Sequence, residues 1–238
     1  MNKKDRLRHQ RQEGQKSSLS TTILGVVAAS MALLVIGRIV TSLGEYYRYP
    51  LRNAILKGDI EGIRKAIRNG AGVNAINWGL PITLAFTYGT YREEEGAHSD
   101  YLRYSKIREI VEVLIDSGAD VNMADQGGNV ALLVAMTTGY WHYPPEKDTI
   151  QEYKKIVKML VDNGANVNVI NSSGDTPLHW ALYDARMFDN LDIIELLLQH
   201  GAKVNVENSE GETPLDLAKR RRDNKLLQLL LSYESKAQ

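Results

Sequence analysis

Two similar octapeptides in the C-terminal third of the chain decide the fold: Gly174-Asp-Thr-Pro-Leu-His-Trp-Ala181 and Gly211-Glu-Thr-Pro-Leu-Asp-Leu-Ala218. Threonine is a favoured helix N-cap, and proline suits the first helical position, where no amide donor is needed. In each octapeptide a leucine and an alanine lie three residues apart, so both face the same side of a helix. Each octapeptide therefore predicts the start of a short helix whose small alanine lets a second helix approach.

A second motif recurs four times, each time after an apolar run with helical spacing. It reads Asn69-Gly-Ala-Gly-Val-Asn74, Ser117-Gly-Ala-Asp-Val-Asn122, Asn163-Gly-Ala-Asn-Val-Asn168 and His200-Gly-Ala-Lys-Val-Asn205. Its glycine stands where a helix commonly ends in a left-handed residue. Such internal self-similarity is typical of a solenoid, in which each unit is one supersecondary element.

Together the two motifs resemble the ankyrin repeat, whose signature Thr-Pro-Leu-His-x-Ala stands letter for letter at 176–181. The resemblance covers about residues 49–235. It implies an all-α solenoid of about five helix-turn-helix repeats with β-hairpin-like turns. We expect the repeat domain to span 44–238, with repeats at about 46–74, 75–122, 123–168, 169–205 and 206–238. One repeat cannot bury its apolar side alone, so neighbouring repeats must stack.

The resemblance also identifies residues with a structural role. His179 is expected to hydrogen-bond a neighbouring turn, because it belongs to the repeat signature. A catalytic role for His179 is the less favoured interpretation. The expected signature residues are Thr176, Pro177, Leu178, His179, Ala181, Thr213, Pro214, Leu215, Ala218, Gly70, Gly118, Gly164 and Gly201.

The repeats depart from the family in length. Gly118, Gly164 and Gly201 are separated by 46 and 37 residues, whereas the family period is about 33. Repeats two, three and four carry about 17, 13 and 4 extra residues between their two helices, counted from the inner alanine to the helix-ending glycine. We expect part of the two larger insertions to lengthen the second helix backward, to caps at Ser99 and Asp148. The remainder, 90–98 and 138–147, is expected to form loops.

The two larger insertions are rich in aromatic residues, and two interpretations are open. The lengthened helices need apolar cover, so the insertions could simply pack on each other. Alternatively they form a second recognition surface, because tyrosine and tryptophan supply rigid contact area with a polar handle. The candidate protein-binding residues are Tyr88, Tyr91, Tyr101, Tyr104, Tyr140, Trp141 and Tyr143 in the insertions, with Trp78 and Trp180 as a competing set on the concave side.

The N-terminal segment differs from the rest of the chain in charge and hydropathy. Residues 1–44 hold seven Lys/Arg and two Asp/Glu, which leaves 22 basic and 27 acidic residues in the remainder. After a basic head over 1–17, the run 17–37 has 21 residues without a charge. At about 1.5 Å per helical residue this run covers the roughly 30 Å of a bilayer's hydrocarbon. It is apolar on all faces, which favours a transmembrane signal-anchor helix over 18–43 rather than a buried helix of a soluble protein.

A cleaved signal peptide is the alternative, because Ser42-Leu43-Gly44 places small residues at a cleavage spacing. The long charged lead and Arg38 near the end of the run favour the anchor instead. Basic residues are more frequent before the run than after it, which favours a cytoplasmic N-terminus. We therefore expect the repeat domain to lie in the periplasm or outside the cell.

Several classes of function are excluded or disfavoured. The absence of cysteine excludes disulfides, thiolate zinc sites and cysteine nucleophiles. The chain contains no phosphate-binding glycine loop and no nucleophile elbow, and the mildly acidic body has no nucleic-acid footprint. His98 and His142 occupy equivalent insertions, but their spacing matches no known metal site, so a solvated loop is the preferred interpretation. We expect no catalytic residue, no cofactor, no metal, no nucleic acid and no small-molecule substrate.

The resemblance implies that the chain binds another protein. We expect a membrane-anchored interaction module that binds or inhibits a protein partner outside the cytoplasm, for example at a bacterial inner membrane. A cytoplasm-facing structural adaptor is the alternative, as is a secreted ankyrin protein whose signal peptide is cleaved. An enzyme is the least favoured class.

Overall fold

The computed structural model of the chain describes residues 49–75, 80–87, 100–138, 147–184 and 190–234. The chain divides into two compact units, Met1–Tyr49 and Pro50–Gln238, and the described residues from Pro50 onward belong to the second. The predicted basic head and anchor helix lie outside the described residues. Within those described ranges, no helix is both long enough and apolar enough to cross a membrane.

The described part of the chain contains helices and turns but no strand, which confirms the predicted all-α repeat class. One short 3₁₀ turn spans Ala85–Thr87. The helices are α1 (Pro50–Lys57), α2 (Ile60–Arg68), α3 (Pro81–Leu84), α4 (Asp100–Asp116), α5 (Ala131–Thr138), α6 (Lys147–Asp162), α7 (Pro177–Asp184), α8 (Leu191–Gln199), α9 (Pro214–Arg221) and α10 (Asn224–Glu234).

The helices stack in two layers. The first helices of successive repeats contact one another in the order α1, α3, α5, α7, α9, and the second helices in the order α2, α4, α6, α8, α10. Within a repeat the two helices also pack together. The core lies between the layers, where the leucine of the signature and its equivalents are buried: Leu51, Ile82, Leu132, Leu178 and Leu215. Burial of these residues against the next repeat is what makes stacking necessary.

The recurrent glycine ends the second helices α2, α4, α6 and α8 in a left-handed turn. Gly70, Gly118, Gly164 and Gly201 have φ of 90°, 88°, 83° and 85°. In the case of Gly164, its own N–H donates to the carbonyl of Val161 and the next N–H, of Ala165, to that of Leu160, both at 3.0 Å. These two bonds satisfy carbonyls that a helix C-terminus would leave unpaired, the pattern of a Schellman motif.

The two larger insertions lengthen the second helices, as the sequence predicts. The helices α4 and α6 have 17 and 16 residues, whereas α2 and α8 each have nine. Helix α4 begins at Asp100, and Ser99 lies outside the described residues. Helix α6 begins one residue before Asp148, which therefore stands in the first turn rather than at the cap. The two lengthened helices are adjacent and pack against each other.

Candidate functional site

The turn edge of the stack is joined by side-chain amides that belong to the second motif. The Asn122 side chain donates to the carbonyl of Gly164 at 2.8 Å and accepts from the N–H of Asn166 at 2.7 Å. Asn74 and Asn168 make the same two bonds to the repeats that follow them. The asparagine therefore bridges successive repeats through backbone atoms, which explains why it recurs at a fixed position.

The residues at the starts of α7 and α9 confirm the expected helix caps. Thr213 and Asp216 form a capping box, in which each side chain accepts from the other's backbone N–H. At α7 the imidazole of His179 replaces the carboxylate, and its Nδ1 accepts from the N–H of Thr176 at 3.1 Å. The other ring nitrogen, Nε2, lies 3.1 Å from the carbonyl of Glu212 in the next repeat. His179 is fully buried and joins two repeats, as predicted.

A buried polar cluster also joins the fourth and fifth repeats. The Tyr183 hydroxyl donates to the carboxylate of Asp175 at 3.1 Å, and the Asn208 amide donates to both. Burial raises the pKa of Tyr183, and the negative charge of Asp175 adds to this, bringing it to about 12. Close backbone packing accompanies the cluster, because a Cβ on Gly174 would lie 3.0 Å from the Cα of Asn208.

The concave candidate set is partly described. Trp180 on α7 is half-buried, and its ring meets that of Tyr183 edge-on, with centroids 5.8 Å apart. Leu84 and Val134 occupy the same position of the repeat on α3 and α5 and are also half-buried. Ile170, in the turn before α7, is 59% exposed. These first helices thus present a half-buried apolar row, whereas Trp78 lies outside the described residues.

The described part of the insertion set belongs to the core. Tyr104 on α4 and Tyr153 on α6 are 5% and 6% exposed. Their rings meet edge-on at a centroid distance of 6.4 Å, and the Tyr153 hydroxyl donates to Sδ of Met136 at 3.3 Å. Tyr104 therefore packs α4 against α6, and its burial corrects its place among the candidate protein-binding residues.

A charged cluster reinforces this contact between α4 and α6. Glu152 is 5% exposed and accepts from Arg108 Nε at 2.8 Å and from Lys155 Nζ at 2.7 Å. Burial raises the pKa of Glu152, but the hydrogen bonds from Lys155 and Arg108 outweigh it, so the pKa lies below its usual 4.5. The hydrogen bond to Glu152 in turn raises the pKa of Arg108 against the opposing effect of burial. A buried carboxylate with two cationic partners holds the lengthened helices in one arrangement.

The remaining aromatic candidates fall outside this part of the chain. Tyr101 lies in the first turn of α4, and nothing is described of its side chain. The other insertion candidates, Tyr88, Tyr91, Tyr140, Trp141 and Tyr143, lie in the two segments 88–99 and 139–146 that join α3 to α4 and α5 to α6. Since α3 and α5 are neighbours, as are α4 and α6, both segments start and end on adjacent elements.

Sequence reasoning missed the pairing of Arg108 with Glu152. The two residues are 44 positions apart on different helices, and single charged residues in amphipathic helices carry no signal of their partner. The bridging asparagines did carry a signal, because Asn74, Asn122 and Asn168 stand at the same offset from the helix-ending glycine. Among the residues that the structure describes, no group of three or more His, Cys, Asp or Glu side chains could hold a metal ion. His98 and His142 are not among those residues.

Comparison with known proteins supports the repeat assignment in the C-terminal part of the chain. Residues 149–238 match the family model described as Ankyrin repeats (3 copies). The comparison with curated proteins gives no sequence match. The matched segment runs from the first turn of α6 through α10 and includes both octapeptides. It supports an ankyrin-repeat protein and indicates a protein–protein interaction module, a class that is typically non-enzymatic.

Proposed function

We propose that the chain is a membrane-tethered ankyrin-repeat module that binds, and thereby restrains, a protein partner outside the cytoplasm. The binding function is supported by the family match over 149–238 together with the two-layered helical stack. The tether and the periplasmic location rest on the uncharged run 17–37 and on the basic residues that precede it. A cytoplasm-facing adaptor and a secreted protein with a cleaved signal peptide are the alternatives.

The partner, in this proposal, binds the aromatic residues of the segments 88–99 and 139–146, which are together called the rim below. The observation that carries this assignment is the Tyr104–Tyr153 contact, because it fastens the helices from which both segments emerge. The Arg108–Glu152 pair fastens the same two helices one turn further on. Fixing the helices at the ends of a segment lowers the entropy that the segment loses on binding. Aromatic side chains in such a segment would therefore bind more tightly. The rim would then supply its anchors from Tyr91, Tyr140, Trp141 and Tyr143.

The first helices offer the competing surface. Leu84, Val134 and Trp180 are half-buried in the free protein, so a partner on the concave side would gain only their remaining exposed area. Ile170, in the turn before α7, is 59% exposed, the highest value among the large apolar side chains that the structure describes. The rim is preferred because its aromatic residues belong to insertions that a regular repeat lacks. The stacking of the repeats does not require them.

Site-specific photo-crosslinking in cells distinguishes the two surfaces. A photoreactive amino acid is placed at Tyr140 or Tyr143 on the rim and, as the matched set, at Ile170 or Val134 on the concave side. The proposal expects one protein to be trapped from the rim positions and absent from the concave ones. Capture from Ile170 and Val134 alone would assign the partner to the first helices and refute the rim.

The location is tested separately with reporters fused after Gln238. A reporter that is active only after export should be active, and the chain should stay in the membrane after alkaline washing. An active cytoplasmic reporter would favour the adaptor. A soluble product that starts near Glu45 would favour the cleaved signal peptide.

A further inference from the structure

One side of α10 exposes apolar residues at positions that are covered by the next helix in an internal repeat. The helices α8 and α10 share a register with an offset of 33 residues: Ile193, Ile194, Leu197 and Leu198 correspond to Leu226, Leu227, Leu230 and Leu231. All four residues of α8 are at most 2% exposed, and α8 packs against α10. In α10, Leu226 and Leu230 stay buried, but Leu227 is half-buried and Leu231 is 42% exposed. The two residues that gain exposure are those that a further helix would cover.

The first helix of the same repeat has a polar residue at its corresponding position. Leu182 on α7 is 1% exposed, whereas its equivalent on α9 is Lys219, which is exposed and pairs with Asp216 at 3.1 Å. A polar outer face is what a repeat needs when no neighbour covers it. The apolar patch is therefore confined to α10. Among the described residues, the helices that pack on α10 are α8 and α9, and neither covers it.

We propose that this patch, Leu227 and Leu231, is an interface on which a second copy of the chain docks through its own α10. Two copies related by a two-fold axis use the same surface on both sides. A residue pair that is in contact across the interface therefore occurs twice. An antiparallel pair of α10 helices that cross at Leu229 places Leu227 of one copy against Leu231 of the other. The inference goes beyond the proposed binding of a partner protein, and it does not depend on it.

The charges around the patch select this occupant and this orientation. Arg222 is exposed at the N-terminal end of α10, and Glu234 lies in the last turn. Crossing the two helices antiparallel brings Glu234 of each copy to the end where the other carries the exposed cations Arg222 and Lys225. The N–H groups of Lys225 and Leu226 at that end already donate to Asp223, so the attraction is to the two side-chain cations. A parallel arrangement would instead place like charges together.

The absence of cysteine in the chain makes the interface directly testable. A single cysteine is introduced at Gln228, which is exposed on α10 close to the crossing point, in the otherwise unchanged full chain. The control is Glu195→Cys, the equivalent exposed position on α8, one repeat earlier. Mild oxidation of the membrane-bound or detergent-solubilised protein should give a covalent dimer from Gln228→Cys and little from Glu195→Cys.

Second-site changes establish which contacts are responsible. Leu231→Glu, in the Gln228→Cys background, should raise the dissociation constant of the dimer by about tenfold or more, because a carboxylate would replace the apolar contact with Leu227 of the other copy. Arg222→Glu and Glu234→Lys should each reduce crosslinking, and the double variant should restore it. Equal crosslinking from Gln228→Cys and Glu195→Cys would mean random encounter and overturn the proposal. Crosslinking that survives Leu231→Glu would overturn it as well, and Leu231 is exposed enough that this change leaves the fold intact.

Discussion

The side-chain amide of Asn122 donates to the backbone carbonyl of Gly164, in the next repeat, at 2.8 Å. The same side chain accepts from Asn166, so one residue holds two backbone groups of its neighbour. Asn122→Ala should lower the free energy of unfolding by about 2 kcal/mol, since each hydrogen bond contributes about 1 kcal/mol. Denaturant unfolding measures the change. Asn205→Ala is the matched control, because Asn205 holds the same motif position but is exposed and makes no hydrogen bond within the described residues. A similar loss from both variants would mean that the bridge contributes nothing.

Alanine variants of Gly174 and Gly211 distinguish two causes of lost stability, a left-handed backbone and a close contact. Both have a positive φ, 75° and 73°. An alanine at either position costs about 1 kcal/mol or more for the conformation alone. At Gly174 the added Cβ would also press on Asn208, whereas at Gly211 nothing lies within 4 Å. Gly174→Ala should therefore be the more destabilising by about 1–3 kcal/mol, as for other overpacked sites. Equal melting temperatures for the two variants would show that the turns move apart freely.

Tyr183 should make the fold sensitive to alkali. Its pKa is about 12 in the folded chain, against 10 for an ordinary tyrosine. A raised native pKa stabilises the fold below pH 10, and this contribution is lost as the pH rises from 10 towards 12. The free energy of unfolding of the parent chain should thus fall more steeply over that interval than that of Tyr183→Phe. Tyr233→Phe, in the last turn of α10, serves as the control for the loss of a tyrosine hydroxyl. Parallel curves for the parent and Tyr183→Phe would contradict the assignment.

Glu152 should have the opposite effect at acid pH. Its pKa lies below 4.5 in the folded chain, so its contribution to stability is complete above pH 4.5 and disappears as the pH falls through the native pKa. Glu152→Gln should be less stable than the parent at neutral pH and lose less stability on acidification. The measurement is the free energy of unfolding between pH 7 and pH 3. Glu195→Gln, which alters an exposed residue of α8, should keep the acid sensitivity of the parent.

Local chemistry explains which features the sequence could predict. Thr213-Pro214 starts a helix and Gly164 ends one for reasons contained in a few neighbouring residues, so both boundaries could be read directly. The lengthening of α4 and α6 was also predictable, because it follows from counting residues between two fixed points. The inward position of Tyr104 was not, since the sequence does not say which side of a lengthened helix meets its neighbour. The Arg108–Glu152 pair depends on the same inter-helix geometry.

The asparagine bridges have a consequence for how such a chain can change. They span 44, 42 and 33 residues of sequence, yet the donor–acceptor distances are 3.1, 2.8 and 2.9 Å. The spacing of the repeats at the turn edge is thus nearly the same whatever the number of residues inserted within a repeat. The length and composition of the insertions in repeats two and three could therefore change without disturbing the stacking of the repeats. A scaffold whose stacking is fixed but whose insertions can vary is suited to grafting, and new rim sequences could be installed on this chain without redesigning its core.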